Sequence, residues 1–509
     1  MLFAPAPSPR ADRHARRRGA VTLAAVALAA AIGLAASPAV AASATWSPPV
    51  DTTGATGQTV GAVTAPDGTI TTVVEDYTSG IMAVSSTDAG ATWQTPVPLG
   101  SEGDNAFRAT IGMTSTGLLA IAWVEEAADV RSIQIVISAD GGATWSSPYA
   151  LPTVLDNVDD PSIGSSGALG FTVVWTENGF DKLSISTTDG GTTWSTSEVV
   201  TEDMNSYGSA SLAAVGASDI VVVYQELNGD TANYSIQSRR SINGGLSWQS
   251  AVPVAPAWSG SLSIGRINPV VSPAPGSLVA FWSHGLPGGG DALFAATSTD
   301  SGATWGPVIE VSVGAGFLRD FAPAVVDAST VGVVWHQQAD SGAEAFYAEV
   351  ELGAVTASTP VSIDSSSTSF YDRLPSLTVF GSTRVATWLE EDRDDQVYYR
   401  SSVSCDGGAT WRASETIAAG ADVNSGDAVA ALSETVVTAF WSEFNDSLEN
   451  YVSLASSIDD PCLVPVAIDE VPELAATGTT APVTAALVLG LTLLVGGASV
   501  VGARRATMR

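Results

Sequence analysis

Ser138-Ala139-Asp140-Gly141-Gly142-Ala143-Thr144-Trp145 is the stretch on which the reading of this chain turns. The same octapeptide, Ser-x-Asp-x-Gly-x-Thr-Trp, returns at Ser86 to Trp93, Ser298 to Trp305 and Ser404 to Trp411. Two copies are degenerate. Thr187 to Trp194 opens with Thr, and Ser241 to Trp248 carries Asn243 for Asp and Ser247 for Thr. Successive tryptophans of the first five copies stand 52, 49, 54 and 57 residues apart. Trp305 to Trp411 is 106 residues, two periods of 53, so one intervening unit has lost its octapeptide. A fixed period of about 50 residues is the mark of an array of like supersecondary units.

Each unit reads as four short strands. In the second they are Arg108 to Met113, Leu118 to Glu125, Ser132 to Ser138 and Ser147 to Leu151, apolar or alternating and bounded by Gly, Asp and Ser. No helical period is evident between Ser43 and Ile468. The expected fold is all-β, a propeller of four-stranded antiparallel blades. The octapeptide suits the turn between strands three and four. Its glycines supply positive φ, and its Asp and Ser or Thr can satisfy turn amides.

Tryptophan placement agrees. Trp123, Trp175, Trp282, Trp335, Trp388 and Trp441 close second strands, where Tyr224 serves in the fourth unit. Six more are octapeptide tryptophans, and Ala44-Thr45-Trp46-Ser47 mimics an octapeptide tail. Only Trp258 stands outside the pattern. Three-strand groups end near Trp93, Trp145, Trp194, Trp248, Trp305, Val350, Trp411 and Ser457, which gives eight blades, with seven as the alternative. Either the Trp46 segment or Leu463 to Ile468 completes the last blade, whose octapeptide has decayed at Ser457-Ile458-Asp459.

The octapeptide resembles the Asp-box, or BNR repeat, of sialidase-like propellers, over nearly all of Ser43 to Cys462. The resemblance implies the fold, with Asp88, Asp140, Asp189, Asn243, Asp300 and Asp406 as structural box residues away from any active site. It does not by itself imply an activity.

The face opposite the boxes should carry the starts of first strands and the ends of second strands. Arg108, Arg266, Arg319 and Arg373 all open first strands, 15 or 16 residues before the second-strand Trp. Arginine forks bind carboxylates bidentately. Sialidases hold the sialic-acid carboxylate with three arginines, and Tyr371-Asp372-Arg373-Leu374-Pro375 resembles their Phe/Tyr-Arg-Ile-Pro motif with one insertion. Glu125, Glu177, Glu226, Glu390 and Glu443 follow the second-strand aromatic by two residues, with His284 and Gln337 in two blades. They read either as acid/base or ligand-binding groups or as partners of the arginines and solvated strand ends. The chain departs from sialidases in lacking an arginine between Gly57 and Ala65, where the motif should open the first blade. Tyr371, Tyr398 and Tyr399 are all candidates for a nucleophile.

No metal-binding, phosphate-binding or serine-nucleophile motif is present, so no cofactor or metal is expected. His284 and His336 share one register but lack a third ligand. Cys405 and Cys462 are the only cysteines, an even count that suggests one disulfide in an exported chain.

The ends read as sorting signals. Residues 1–41 hold a basic region with Arg16 to Arg18, the apolar run Ala20 to Ala36 and Ala39-Val40-Ala41 as a cleavage site, the layout of a signal peptide. After a short linker, residues 463–473, the segment 474–509 begins with Leu474-Ala475-Ala476-Thr477-Gly478. An apolar stretch to Gly502 and a basic tail follow, which resembles an actinobacterial sortase signal of the LPxTG kind. That resemblance implies cleavage after Thr477, a covalent link to peptidoglycan, and a Gram-positive cell surface. The membrane would be met only through the C-terminal helix before sorting.

Between the signals stand 12 basic and 52 acidic residues, a balance that repels nucleic acid and anionic lipid. The sequence therefore suggests a wall-anchored propeller, residues 43–462, that binds an acidic glycan or a protein partner without catalysis. The alternative is an exo-sialidase-like glycoside hydrolase. The sequence leaves open whether the chain is an enzyme.

Overall fold

The computed structural model describes residues 45–462, apart from 77–78, 101–104, 154–156, 180, 202–205, 229–232, 259–268, 287, 313–315, 340–341, 365–368, 393, 395, 421–422, 434, 446 and 449. The signal peptide, the linker and the sorting signal lie outside the described residues. No helix among the described residues is long and apolar enough to cross a membrane.

The described chain forms eight four-stranded antiparallel sheets, each a blade of a β-propeller. In the second blade the strands run Ala106–Met113, Leu119–Ala127, Val130–Ser138 and Tyr149–Ala150, from the axis outward. Second strands are buried on both sides, as Gly170–Glu177 is throughout, because blades stack face to face around the ring. Each interface between neighbours holds its own apolar cluster. One joins Ala122, Val124, Ile133 and Ile135 of the second blade to Phe171, Val173, Trp175 and Ile185 of the third. Another joins Ile70 of the first blade to Phe440 and Ala455 of the eighth, so the ring is closed.

Closure uses the N-terminal segment; Leu463 to Ile468 lie outside the described residues. Val50–Thr56 is the outer strand of the eighth blade and pairs antiparallel with Asn450–Asp459, Val50 opposite Ala455. The Ser47 amide donates to the Ser457 carbonyl at 2.8 Å, as the Gln94 amide does to Ser85 in the first blade. By that register Ile458 takes the place of the box serine and Asp460 that of the box aspartate. The eighth box is thus displaced by one residue from Ser457-Ile458-Asp459 and split between the two ends of the chain. In the sixth blade the Ser358 amide still donates to Glu349, so the lost box is Val350 to Ala357.

Cys405 and Cys462 form a disulfide, with Cα atoms 5.6 Å apart, that ties the end of the eighth blade to the seventh.

Candidate functional site

The two faces of the disc are built from different chemistry. On one, five of the six boxes share one hydrogen-bond pattern, and in the fourth Asn243 Nδ2 donates to Ser247 Oγ at 2.9 Å in place of a hydroxyl donating to a carboxylate. In the second blade the Ser138 hydroxyl donates to Asp140 Oδ1 at 2.9 Å and accepts from the Gly142 amide at 2.9 Å. The Thr144 amide and hydroxyl both donate to the Asp140 carboxylate, at 2.8 and 2.6 Å. In the third blade the corresponding donors, Thr193 first among them, hold the exposed Asp189 carboxyl down to about 2. Gly142 has φ 88°, and a Cβ there would meet Ser85 Oγ of the first blade at 2.7 Å. Glycine is needed both for the turn and for that approach, across which Thr71 Oγ1 donates to the Gly141 carbonyl. The boxes therefore staple neighbouring blades together, and their carboxylates are occupied within the turn.

The opposite face is organised by a bulge on the inner strands. In the second blade the pairing steps from Phe107 opposite Val124 to Thr110 opposite Ala122, leaving Arg108 and Ala109 against Trp123. In the third it leaves Asp160 and Pro161 against Trp175, and in the sixth Arg319 and Asp320 against His336. Arg373 is the last paired residue before the bulge of the seventh blade. Arg108 and Asp160 have φ 55° and 51°, and such bulges re-aim side chains. The register arginine thus lies in the bulge of the second and sixth blades and just before it in the seventh.

Arg108 is half exposed and bridges to the next blade, to Asp159 Oδ1 at 2.8 Å and to Asp160. Arg131 extends the cluster, with Nε 2.7 Å from Glu126 Oε2 and its guanidinium over the Phe107 ring. Arg266 and the side chains of Arg319 and Arg373 lie outside the described residues.

The glutamates have a use within the fold. Trp123 Nε1 donates to Glu125 Oε2 at 3.1 Å, Trp175 to Glu177 at 3.0 Å and Trp441 to Glu443 at 3.0 Å. Gln337 accepts from Trp335 in the same way at 3.5 Å. The partner is the indole two residues back, not a bulge arginine. Glu390 is fully buried and accepts instead from Arg400 Nε at 2.7 Å, which leaves the buried Trp388 Nε1 without an acceptor. Glu226 follows Tyr224 in the same register, opposite Ser206.

The tyrosines separate. Tyr399 is buried, donates to Thr387 Oγ1 at 3.1 Å, and burial pushes its hydroxyl well above the usual range. Tyr398 donates to Asp392 Oδ2 at 3.2 Å, and that carboxylate raises it too. The Tyr371 side chain lies outside the described residues. His284 is sandwiched between Trp258 and Phe294, with ring centroids 4.5 and 4.3 Å away, and burial lowers its pKa. No group of three or more His, Cys, Asp or Glu that could hold a metal occurs among the described residues.

Sequence reasoning missed several members of this face. Glu75 accepts from the Ala109 amide in the bulge of the next blade. Its partner strand places it as Glu125 is placed, but Val73 stands where the signalling tryptophan should be. Lys182, the only lysine of the chain, is buried beside Thr176, to whose Oγ1 its Nζ donates at 2.9 Å. Burial lowers its pKa to about 8, against the attraction of Asp160 and Asp181.

No family model and no curated protein matches the chain. Among solved structures it is similar to a protein of unknown function from Dyadobacter fermentans, at 11% identity over 82% of this chain and 99% of that one, with a TM-score of 0.41. It is similar to an ulvan lyase, a polysaccharide lyase, solved with a bound glucuronate–rhamnose sulfate ligand (10% identity, 81% and 96% covered, TM-score 0.45). An α-L-arabinofuranosidase from Fusarium graminearum is similar at 16% identity over 55% of this chain and 88% of that one, with a TM-score of 0.36.

Proposed function

We propose that this chain is an exported, wall-anchored binding module that presents the bulge-lined face to an acidic glycan or a protein partner, without catalysing a reaction. One observation carries the choice. Four of the five glutamate candidates for acid/base work, Glu125, Glu177, Glu390 and Glu443, have oxygens bound to scaffold indoles or to Arg400, and Tyr398 and Tyr399 are pushed away from ionisation. A general base must reach its proton with a free acceptor. The arginine register supports an acidic ligand, since Arg108 stays half exposed even with its two aspartates.

The rival is a sialidase-like hydrolase that uses the same arginines for its substrate carboxylate. The two part on one experiment. Purified chain and its Arg108→Ala and Arg373→Ala variants are given a fluorogenic sialoside and then an array of acidic glycans. Binding without turnover, weakened in either variant, supports the module. Turnover by the parent, lost in a variant, establishes the hydrolase and ends the proposal.

A further inference from the structure

Trp258 is the one tryptophan outside both structural sets, and the fourth blade is extended to carry it. The outer strands of five blades are two residues long, Ile309–Glu310 of the fifth among them. Val252–Trp258, the outer strand of the fourth, is seven residues long and ends with Trp258 opposite Tyr234. There the Trp258 ring lies over His284 of the fifth blade at an interplanar angle of 19°, and His284 lies over Phe294 at 10°. Tyr234 adds a fourth ring, 6.3 Å from Trp258. The buried Trp258 Nε1 has no hydrogen-bond partner, so the side chain is held by packing alone.

The fifth blade gives up a contact to build this ladder. Glu125, Glu177, Gln337 and Glu443 each accept from the indole two residues back. His284 occupies the same slot, but its ring is turned into the ladder and its Nδ1 donates to the Gly285 carbonyl at 3.1 Å. The buried Trp282 Nε1 is left without an acceptor. A side chain that elsewhere serves its own blade here bridges two, and it is one whose charge changes near neutral pH.

A proton on His284 has to be held between two apolar rings. Burial opposes it and lowers the pKa, against the Gly285 carbonyl and the attraction of Asp291 and Glu310 on the third and fourth strands of the same blade. The fourth blade's outer strand brings no ionisable side chain to the ladder, and its third strand brings Tyr234. The proton therefore binds the parted rings better than the stacked ones. The stack is complete above the ordinary histidine value near 6.5 and loosens as the pH falls below it.

We propose that Trp258, His284 and Phe294 form an acid-sensitive clasp between the fourth and fifth blades, and that protonation of His284 parts the stack and frees the end of the fourth blade's outer strand. The clasp is a property of the fold and does not rest on the ligand proposed for the bulge-lined face.

The test is hydroxyl-radical footprinting of the full-length chain, read by mass spectrometry at each tryptophan, at about pH 7.5 and about pH 5. Two variants accompany it. His284→Phe keeps a ring in the stack and cannot take up a proton. His284→Gln removes the ring, and the sixth blade accommodates Gln337 in that slot. In the parent, labelling of Trp258 relative to Trp441 should rise at least about threefold on acidification. The ratio should stay low at both pH values in the Phe variant and be high at both in the Gln variant. A parent ratio that is unchanged in acid overturns the inference. So does one that falls, which would mean that cation–π attraction tightens the stack. A rise in the Phe variant, or a Gln variant as protected at neutral pH as the parent, overturns it equally.

Discussion

Trp46 Nε1 donates to Ser401 Oγ at 2.8 Å across 355 residues of sequence. The same contact recurs where Trp248 reaches Ser184 and Trp305 reaches Ser238, each box tryptophan touching a third-strand serine of the preceding blade. Trp46 is therefore the tryptophan of the eighth box, delivered by the other end of the chain. It packs beside Tyr399, Val423 and Trp441 in one cluster and beside Cys405 and Cys462 in another. Both ends of the closing blade are thus fastened to the seventh.

Removing that fastening should weaken ring closure specifically. Trp46→Ala is expected to cost about 3 kcal/mol, since it deletes a large packed ring. Trp46→Phe keeps the packing and loses one hydrogen bond, about 1 kcal/mol. Denaturant unfolding of both variants checks the ordering. Equal losses would mean that the indole N–H, not the ring, carries the closure.

The disulfide closes a loop of 57 residues that holds three of the four strands of the eighth blade. Chain-entropy reasoning gives roughly 4 kcal/mol for a loop of that length. Replacing both cysteines with serine should lower stability by about that amount, and a reducing agent should do the same to the parent but not to the variant. A parent indifferent to reduction would place the blade-to-blade packing, not the cross-link, in charge of closure.

Much of this was legible because the box is a local device. Its Ser, Asp, Gly and Thr satisfy one another within one turn, so their spacing survives in the sequence whatever the rest of the blade does. Closure by the Trp46 segment was readable for the same reason, from a fragment of a box. The sixth box left no such trace, because Leu352 and Ala357 hold the positions of its Asp and Trp. The site was less legible because its contacts cross between blades. Arg108 finds Asp159 and Asp160 some 50 residues on, and no pattern near Arg108 announces them. The five glutamates were visible as a register, but the indole partners of Glu125, Glu177 and Glu443 could be recognised only once strand geometry put residues i and i+2 on one side.

The indole contact makes a prediction that separates scaffold from chemistry. Trp441 is buried, and Glu443 accepts its N–H at 3.0 Å. Glu443→Gln retains an acceptor, as Gln337 does for Trp335, and should shift stability by less than about 0.5 kcal/mol. Glu443→Leu leaves the indole unpaired and should cost about 1–3 kcal/mol. Thermal unfolding reads both. A Gln variant that folds normally but loses any glycan binding or turnover of the parent would give Glu443 a functional charge that its indole contact does not suggest.

His336 sets the acid limit of the fold. It is 1% exposed, between the sixth and seventh blades with Trp388 edge-on, and neither ring nitrogen has a hydrogen-bond partner. Burial lowers its pKa to about 3, from an ordinary value near 6.5. A depressed histidine pKa means that the unfolded chain takes up the proton first. The stability tied to the neutral ring is complete above pH 6.5 and is lost as the pH falls from there toward 3. His336→Leu removes this linkage and the two unpaired nitrogens together. The variant should therefore gain on the parent as the solution is acidified, by about 2 kcal/mol between pH 7 and 5. The box carboxylates cannot mimic this, because Asp189 and Asp406 at about 2 titrate below that window. Urea unfolding of both chains across that range measures the difference. A gap that stays constant with pH would mean that His336 is protonated in the folded protein, with an acceptor close by.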